Sequence, residues 1–214
     1  VHTKVTHTGI PGLDEILHGG IPPGAVVILE GEPGTGKTTI GMQFLVEGAV
    51  SFNEPGIYIT FEELPEQIYE DMSGFGWDLR QLERDNRLRV ICMEPDILLD
   101  QMLQPNGIFE AVVNEIGCKR VVIDSISLFR MVSAQEHVRN NVYTIRNIMR
   151  KHNLTSFFIR EYAELSEMNI PFENYICDGI VRLSLKPLME KYRKRTIEVL
   201  KMRGTRIMEG EHTY

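Results

Sequence analysis

Residues 31–38 read Gly31-Glu32-Pro33-Gly34-Thr35-Gly36-Lys37-Thr38, which matches the P-loop pattern G-x-x-x-x-G-K-[ST] at every position. The short apolar run at 25–30 predicts a strand before this segment, and the apolar spacing in 38–49 predicts a helix after it. In that context the glycine-rich loop turns backbone N–H groups inward, and the helix adds the positive end of its dipole. The segment, called the P-loop below, therefore predicts a polyphosphate site.

Each residue of the P-loop has an expected role in binding a nucleotide. Lys37 is expected to reach the β- and γ-phosphate oxygens and to assist catalysis there, and the Thr38 hydroxyl is expected to coordinate a bridging Mg²⁺. A nucleoside polyphosphate such as ATP, together with Mg²⁺, is therefore the predicted ligand. The residues expected to bind the nucleotide are Glu32, Pro33, Gly34, Thr35, Gly36, Lys37, Thr38 and Thr39.

Length and composition limit the class of protein. The chain has 214 residues, and we expect a single domain over 1–214, with a lead at 1–24 and a core at 25–214. Its 43% hydrophobic and 25% charged residues are typical of a globular protein and exclude the disordered and fibrous classes. The longest apolar runs are about five residues, whereas a membrane helix needs roughly 20. We therefore expect no membrane partner and a cytoplasmic location, and the sequence leaves open whether the chain is a fragment.

The charge balance argues against a protein that mainly binds duplex nucleic acid. The chain carries 23 Lys and Arg against 30 Asp and Glu, which gives a net charge of −7. Cys92, Cys118 and Cys177 lie far apart without a C-x-x-C spacing, and the histidines show no metal pattern. We therefore expect core thiols in a reducing compartment, not disulfides or zinc ligands.

Strands and helices are predicted to alternate through the remainder of the chain. Apolar and β-branched runs predict strands at 56–61, 88–92, 120–123, 155–159, 179–185 and 195–202, with a charged turn at 190–194. Helices are predicted after Pro65 and around 108–116. A third helix is predicted after a capping box at Ser133 and Glu136, and its apolar stripe consists of Val138, Val142, Ile145 and Met149. This order predicts a mostly parallel α/β sheet with helices on both faces and an antiparallel C-terminal hairpin.

Carboxylates follow two of the predicted strands. The apolar strand 121–124 ends in Asp124, as in a Walker B element, and beside a P-loop this favours a direct or water-mediated Mg²⁺ ligand over a turn-forming residue. Glu62 and Glu63 follow Phe61 at the edge of the sheet where ligands of open α/β folds bind. Spacing alone leaves two roles open for this pair. The glutamates either activate water for ATP hydrolysis or only place negative charge at the N-terminus of the next helix.

Several separated segments together resemble one domain of the KaiC-like ATPases, a RecA-type branch of the P-loop proteins. The Thr-Phe-Glu-Glu and Lys-Met-Arg-Gly-Thr elements, in this order, are more specific to that family than the P-loop alone. The matching segments span nearly the whole chain and are 9–14 (Gly-Ile-Pro-Gly-Leu-Asp) with Gly19-Gly20, the P-loop, 60–63 (Thr-Phe-Glu-Glu), 75–79 (Phe-Gly-Trp-Asp-Leu), 122–125 (Val-Ile-Asp-Ser), Asp178-Gly179, and 201–205 (Lys-Met-Arg-Gly-Thr).

The resemblance implies a RecA-like fold and Mg²⁺-dependent ATP hydrolysis. It makes Glu62 and Glu63 the catalytic pair, with Glu63 as the base and Glu62 as its partner in orienting water. It also implies a six-membered ring with ATP between neighbours, in which Lys201 and Arg203 reach the γ-phosphate of the adjacent subunit. Taken alone, these two cations would only protect an exposed strand edge. Arg160 stands where similar proteins more often carry a small hydroxyl residue, so the role of this position stays open.

We therefore expect an ATPase of the KaiC/RecA-like class with a regulatory or signalling role and an unidentified protein partner. Two alternatives remain. One is a nucleotide-state assembly switch with negligible turnover, and the other is a DNA-dependent recombination-type RecA paralogue, which the net charge and the lack of an obvious aromatic-basic loop disfavour. Autokinase activity is not supported, because nothing in the chain resembles a phospho-acceptor segment. The sequence does not distinguish ATP from GTP.

Overall fold

The structure is a computed structural model that describes residues 4–129, 135–162, 172–189 and 192–214. The predicted capping residue Ser133 and the start of the predicted charged turn at 190–191 lie outside the described residues. The strands are β1 (Val26–Gly31), β2 (Gly56–Thr60), β3 (Leu88–Cys92), β4 (Arg120–Asp124), β5 (Thr155–Glu161), β6 (Gly179–Leu188), β7 (Tyr192–Met202) and β8 (Glu211–Thr213). The helices are α1 (Leu13–Ile16), α2 (Lys37–Ser51), α3 (Pro65–Ser73), α4 (Leu79–Arg84), α5 (Pro95–Leu103), α6 (Ile108–Ile116), α7 (Gln135–Lys151) and α8 (Glu173–Ile176), with a 3-10 turn at Ile126–Leu128.

Within the described residues, the strands form one eight-stranded sheet in the order β3-β2-β4-β5-β1-β6-β7-β8. The strands from β3 to β6 in that order run parallel, and β7 and β8 join antiparallel. β1 therefore lies inside the sheet, and the loop that follows it opens at the carboxyl edge of the parallel strands, where ligands of such folds bind. The predicted α/β fold is confirmed, and β8 extends the predicted hairpin by a third strand.

Two hydrophobic cores cover the two faces of the sheet. Leu29 packs in the core that contains α2, while Val26 and Ile28 pack in the core that contains α7. Every residue of β1 is buried, as expected for a parallel strand covered on both faces. The apolar stripe predicted for α7 is confirmed, because its members are all buried: Val138, Val142, Ile145 and Met149.

The N-terminal lead is fastened to the core through Arg120, whose side chain is fully buried at the start of β4. The Arg120 guanidinium donates to the carbonyl of His7 at 2.7 Å and to that of Phe44 at 2.8 Å. It also donates to the Glu54 carboxylate at 2.7 Å. Burial lowers the pKa of Arg120, and the bond to Glu54 opposes this effect. The part of the lead around His7 is therefore held against β4 and α2.

The three cysteines are free thiols, with Cys118 and Cys177 buried. Burial raises the pKa of each of these two thiols to about 12, as expected for core cysteines. Within the described part of the chain, His, Cys, Asp and Glu side chains form no group of three or more that could hold a metal ion. Among the described helices, none has the length and apolar character that crossing a bilayer requires.

Candidate nucleotide site

The P-loop joins the carboxyl end of β1 to the first turn of α2. Gly34 and Gly36 adopt φ angles of 82° and 89°, in the left-handed region that favours glycine. A Cβ at either residue would meet no heavy atom within 4 Å, so the backbone conformation, not crowding, requires glycine there. The Thr35 hydroxyl donates to the Glu32 carbonyl at 2.8 Å and closes the turn. The result is an open turn on a helix N-terminus, where backbone N–H groups bind phosphate.

Lys37 lies across this turn. Its ammonium group donates to the carbonyl oxygen of Gly31 at 2.9 Å and to that of Glu32 at 3.0 Å. Burial lowers the pKa of Lys37, while the negative charges of Glu161 and Asp124 oppose the shift. The ammonium is therefore held over the loop, where phosphate oxygens can replace the two carbonyls as acceptors.

The Thr38 hydroxyl and the Asp124 carboxylate meet at the mouth of the P-loop. Asp124 Oδ2 accepts hydrogen bonds from the Thr38 hydroxyl at 2.7 Å and from the Tyr58 hydroxyl at 2.7 Å. Burial and the charge of Asp124 raise the pKa of Tyr58 well above its usual value, so its hydroxyl stays a donor. A hydroxyl and a carboxylate oxygen are donors that Mg²⁺ prefers. The residues present therefore fit the predicted ion, and Tyr58 is a contact that the sequence analysis missed.

Glu62 and Glu63 follow β2, whose last residue, Thr60, is level with Asp124 of β4 in the parallel register. The Thr60 side-chain oxygen accepts from the backbone N–H of Glu62 at 3.4 Å and of Glu63 at 3.3 Å. Both glutamates are exposed at the same edge of the sheet as the P-loop. Partial burial raises the pKa of Glu63, as do the charges of Asp124, Asp71 and Glu62. The pair thus lies near Asp124, and its division of roles stays a prediction.

Lys201 and Arg203 lie toward the opposite edge of the sheet. Lys201 in β7 is level with Ile180, near the start of β6, whereas Gly31 at the end of β1 is level with Leu183. Three strand positions separate these levels, which is roughly 10 Å along the strand axis. Lys201 lies within β7, whereas Arg203 follows the strand in a turn.

Both cations contact the segment before β6 instead. The Lys201 ammonium donates to the carbonyls of Asn174 and Cys177, each at 2.8 Å, and the Arg203 guanidinium donates to the carbonyl of Tyr175 at 3.2 Å. Burial, followed by the charge of Arg203, lowers the pKa of Lys201. The structure therefore brings the P-loop, Asp124 and the glutamates together, and it places the two cations elsewhere on the same chain.

Arg160, whose role the sequence left open, is a buried ion-pair partner. Its guanidinium pairs with Glu30 and lies 3.4 Å from Glu173, and it donates to the Asn174 side chain at 2.9 Å. Arg182 pairs with the other oxygen of Glu30 at 2.7 Å. These residues carry no local motif, and the sequence analysis missed all of them except Arg160.

Tyr214 connects the antiparallel end of the sheet to the P-loop. β8 pairs with 196–198 of β7, and the Tyr214 hydroxyl donates to the carbonyl of Thr35. Burial raises the pKa of Tyr214, which keeps this hydroxyl protonated as a donor. Tyr214 therefore lies against the P-loop, a contact that no sequence motif indicated.

A P-loop after an internal strand of this sheet, with a hydroxyl–carboxylate pair at its mouth, is the arrangement of the P-loop nucleotide-binding proteins. A family model described as "ATPase: KaiC" matches residues 6–214 of the chain. The chain belongs to this KaiC ATPase family.

Relatives of known sequence or structure agree with this assignment. UPF0273 protein MJ1359 of Methanocaldococcus jannaschii is 36% identical, over 94% of this chain and 88% of that protein. Circadian clock oscillator protein KaiC 1 of Synechocystis sp. is 34% identical over 97% of this chain, which spans only 41% of the clock protein. The crystal structure of KaiC-like protein PH0186 from Pyrococcus horikoshii OT3 matches with a TM-score of 0.86 and 31% identity, covering 99% of this chain and 94% of that one.

Proposed function

We propose that this chain is a Mg²⁺-dependent ATPase that hydrolyses ATP at the boundaries between subunits of a ring, with six subunits as the number that the family resemblance implies. Residues 1–214 form one ATPase domain in this proposal. The enzyme works in the cytoplasm as a regulatory or signalling ATPase, and its nucleotide state is communicated to a protein partner.

The proposal rests on the positions of two sets of charged residues, which lie at opposite edges of the sheet. The P-loop, Asp124 and Glu63 lie at the carboxyl edge of the parallel strands, while Lys201 and Arg203 lie toward the amino edge and contact 174–177. A nucleotide bound in one P-loop meets both sets of residues when a second subunit presents its amino edge. The site is then complete at a boundary and incomplete in a single chain.

At the carboxyl edge, each residue has a distinct task. The backbone N–H groups of the P-loop and Lys37 bind the phosphates, and Thr38 and Asp124 hold Mg²⁺, which when bound offsets the negative charge of the β- and γ-phosphates. Glu63 accepts a proton from the attacking water. Its raised pKa brings the base closer to neutral pH, where general-base catalysis is most effective. Glu62 orients the same water.

At the amino edge, the cations of the neighbouring subunit stabilise the charge that develops on the γ-phosphate. The carbonyls of Asn174 and Cys177 occupy two of the three donors of the Lys201 ammonium, which leaves one for a phosphate oxygen. The Arg203 side chain is 53% exposed; one of its nitrogens lies 3.9 Å from the Asp178 carboxylate and another donates to the Tyr175 carbonyl, and a guanidinium has more N–H donors than these two contacts use. An arginine supplied in this way contributes on the order of 10³- to 10⁵-fold in rate.

Complementation between two inactive chains tests the shared site. One chain carries Glu63→Gln and the other carries Arg203→Ala, and each is expected to be nearly inactive alone. On mixing, some boundaries join an intact Glu63 to an intact Arg203, so ATP hydrolysis should reappear. Energy transfer between fluorescently labelled chains verifies that subunits exchange.

Two results would contradict the shared site. One is a mixture that stays inactive although subunit exchange is verified, and the other is an Arg203→Ala chain that is fully active as a monomer. A parent ring that assembles with nucleotide but shows negligible steady-state turnover would instead support the assembly switch.

A further inference from the structure

Two arginines fix the strand end from which the P-loop departs. Glu30 is the residue before Gly31, and its side chain is fully buried. Arg182 of β6 donates to Glu30 Oε1 through Nε at 2.8 Å and pairs with it through Nη2 at 2.7 Å. Arg160 of β5 pairs with the second oxygen. A buried carboxylate is costly unless it is paired, so both arginines constrain the position of Glu30.

Arg160 also contacts residues 173–177, which comprise helix α8 and Cys177 and are called the α8 segment. Its guanidinium lies 3.4 Å from the Glu173 carboxylate and donates to the side-chain oxygen of Asn174 at 2.9 Å. Arg160 is only 4% exposed, and Glu173 is 1% exposed. Because the guanidinium presents its donors in a rigid planar fork, its contact on β1 and its contacts on α8 are linked geometrically. A small hydroxyl side chain at this position of β5 would be too short to connect the two elements.

The α8 segment in turn holds the two cations of the amino edge. Lys201 donates to the carbonyls of Asn174 and Cys177, and Arg203 donates to the carbonyl of Tyr175. These acceptors belong to the backbone of 174–177, so the position of this segment sets the positions of both cations. A continuous set of contacts therefore leads from Glu30, beside the P-loop, through Arg160 to Lys201.

We propose that Arg160 is a positioning residue for Lys201 and Arg203. Through Asn174 it fixes the α8 segment, and in this way it places the two cations that act on the nucleotide of the neighbouring subunit. The inference rests on the proposed function, because it concerns one half of the same shared site. It predicts that loss of the Arg160–Asn174 contact impairs hydrolysis in the neighbouring subunit and not in the subunit that carries the change.

The choice of variant separates positioning from folding. Removing Arg160 would leave the buried Glu30 with one arginine fewer, and the chain could then fail to fold. Asn174→Ala removes one hydrogen bond to Arg160 while it keeps the backbone carbonyl that accepts from Lys201. Asn174→Asp keeps a side-chain oxygen at the same place and is the matched control.

The experiment introduces Asn174→Ala into one partner of the complementing mixture at a time. The Glu63→Gln chain supplies only cations to productive boundaries, and the Arg203→Ala chain supplies only the P-loop and Glu63. Asn174→Ala in the Glu63→Gln chain should lower the ATPase rate of the mixture by roughly ten- to a hundredfold, the range expected when a catalytic group is misplaced by about 1 Å. The same change in the Arg203→Ala chain should leave the rate unchanged. Asn174→Asp in the Glu63→Gln chain should keep most of the activity.

The outcomes separate this inference from the function on which it rests. Equal losses from Asn174→Ala in either chain would indicate a purely structural contact and overturn the positioning role, and so would the absence of any loss. A reference mixture without the Asn174 change that stays inactive would contradict the proposed shared site itself. Thermal unfolding of each chain, followed by circular dichroism, checks that the variants are equally folded.

Discussion

The surroundings of Glu63 disfavour its ionised form. Partial burial raises the pKa of Glu63, and the carboxylates of Asp124, Asp71 and Glu62 raise it further. The backbone N–H groups of Glu62 and Glu63 are both fixed on the Thr60 hydroxyl, so their side chains leave one short, anchored segment. A general base works best when its pKa approaches the working pH. These surroundings favour Glu63 as the residue that accepts the proton from water.

Glu63→Gln is expected to lower kcat by about 10²- to 10⁴-fold, because the amide keeps the size of the side chain but cannot accept a proton. Nucleotide binding should persist, since the P-loop and Lys37 are unchanged. Steady-state phosphate release measures the first effect, and titration with a fluorescent ATP analogue measures the second. Glu62→Gln is the matched control and should have the smaller effect. If Glu62→Gln abolishes hydrolysis while Glu63→Gln keeps the parent rate, the two roles are reversed.

The acid limb of the pH profile should respond to Asp71. In the proposed mechanism Glu63 acts as a base only when it is ionised, so its raised pKa predicts that hydrolysis is lost at a higher pH than with an ordinary glutamate as the base. Asp71→Asn removes one negative charge that raises this pKa, so the acid limb of kcat should move to lower pH. Asp85→Asn is the control, because both aspartates accept a hydrogen bond at 2.9 Å from a glutamine four residues earlier. An equal shift in both variants would argue against a specific effect on Glu63.

Sequence reasoning identified the site residues that belong to a pattern. Lys37 and Thr38 lie in one continuous motif, and Asp124 ends a recognisable apolar strand, so Thr38 and Asp124 could be paired although 86 residues separate them. Tyr58 and Glu30 were missed. Each reads as an ordinary strand residue, and its partner is known only once the strand order and register are known. Contacts that depend on tertiary register leave no local signal.

At the scale of elements, the strands and helices with strong periodic signals were predicted closely. Strand β3 and helix α6 have the predicted bounds, and the other predicted strands differ by a few residues at their ends. The short helices α1, α4, α5 and α8 were not predicted. β8 was also missed, because its three residues, Glu-His-Thr, are polar, and it exists only through backbone pairing with β7. Short elements are therefore determined by the neighbours they pack against more than by their own sequence.

Arg120 shows how one buried side chain joins three elements. Arg120→Met should lower the free energy of unfolding by about 3–5 kcal/mol, because it leaves backbone carbonyls of the lead and of α2 without their donor and Glu54 without its partner. Urea unfolding followed by circular dichroism measures this loss. Lys186→Met is the control, since the Lys186–Glu211 pair is largely exposed and such pairs contribute about 0–1 kcal/mol. Similar losses in both variants would mean that the Arg120 contacts do not fasten the lead.

At the scale of the whole molecule, the fold assigns the two parts of the proposed site to different surfaces. The P-loop follows an internal strand and opens at the carboxyl edge, whereas Lys201 and Arg203 lie toward the amino edge beside α8. In the proposed assembly, each subunit therefore uses one surface toward one neighbour and the other surface toward the next. Such head-to-tail contacts close into a ring when the rotation between subunits allows it.

Assembly should consequently depend on nucleotide. In the proposed assembly Mg-ATP contacts both sides of each boundary, so it stabilises the assembled state to the extent that it binds a boundary more tightly than a single P-loop; a tenfold difference in affinity corresponds to about 1.4 kcal/mol per site. Light scattering should show a higher mass with Mg-ATP than without it. Lys37→Ala should not show the increase, because the variant loses the side chain that binds the phosphates. Arg203→Ala should bind a fluorescent ATP analogue as the parent does and yet assemble less, because the nucleotide loses its contact on the second subunit. If Arg203→Ala assembles to the same extent as the parent at every Mg-ATP concentration, the cation does not contact the neighbour's nucleotide, and the two edges of the sheet do not form one site.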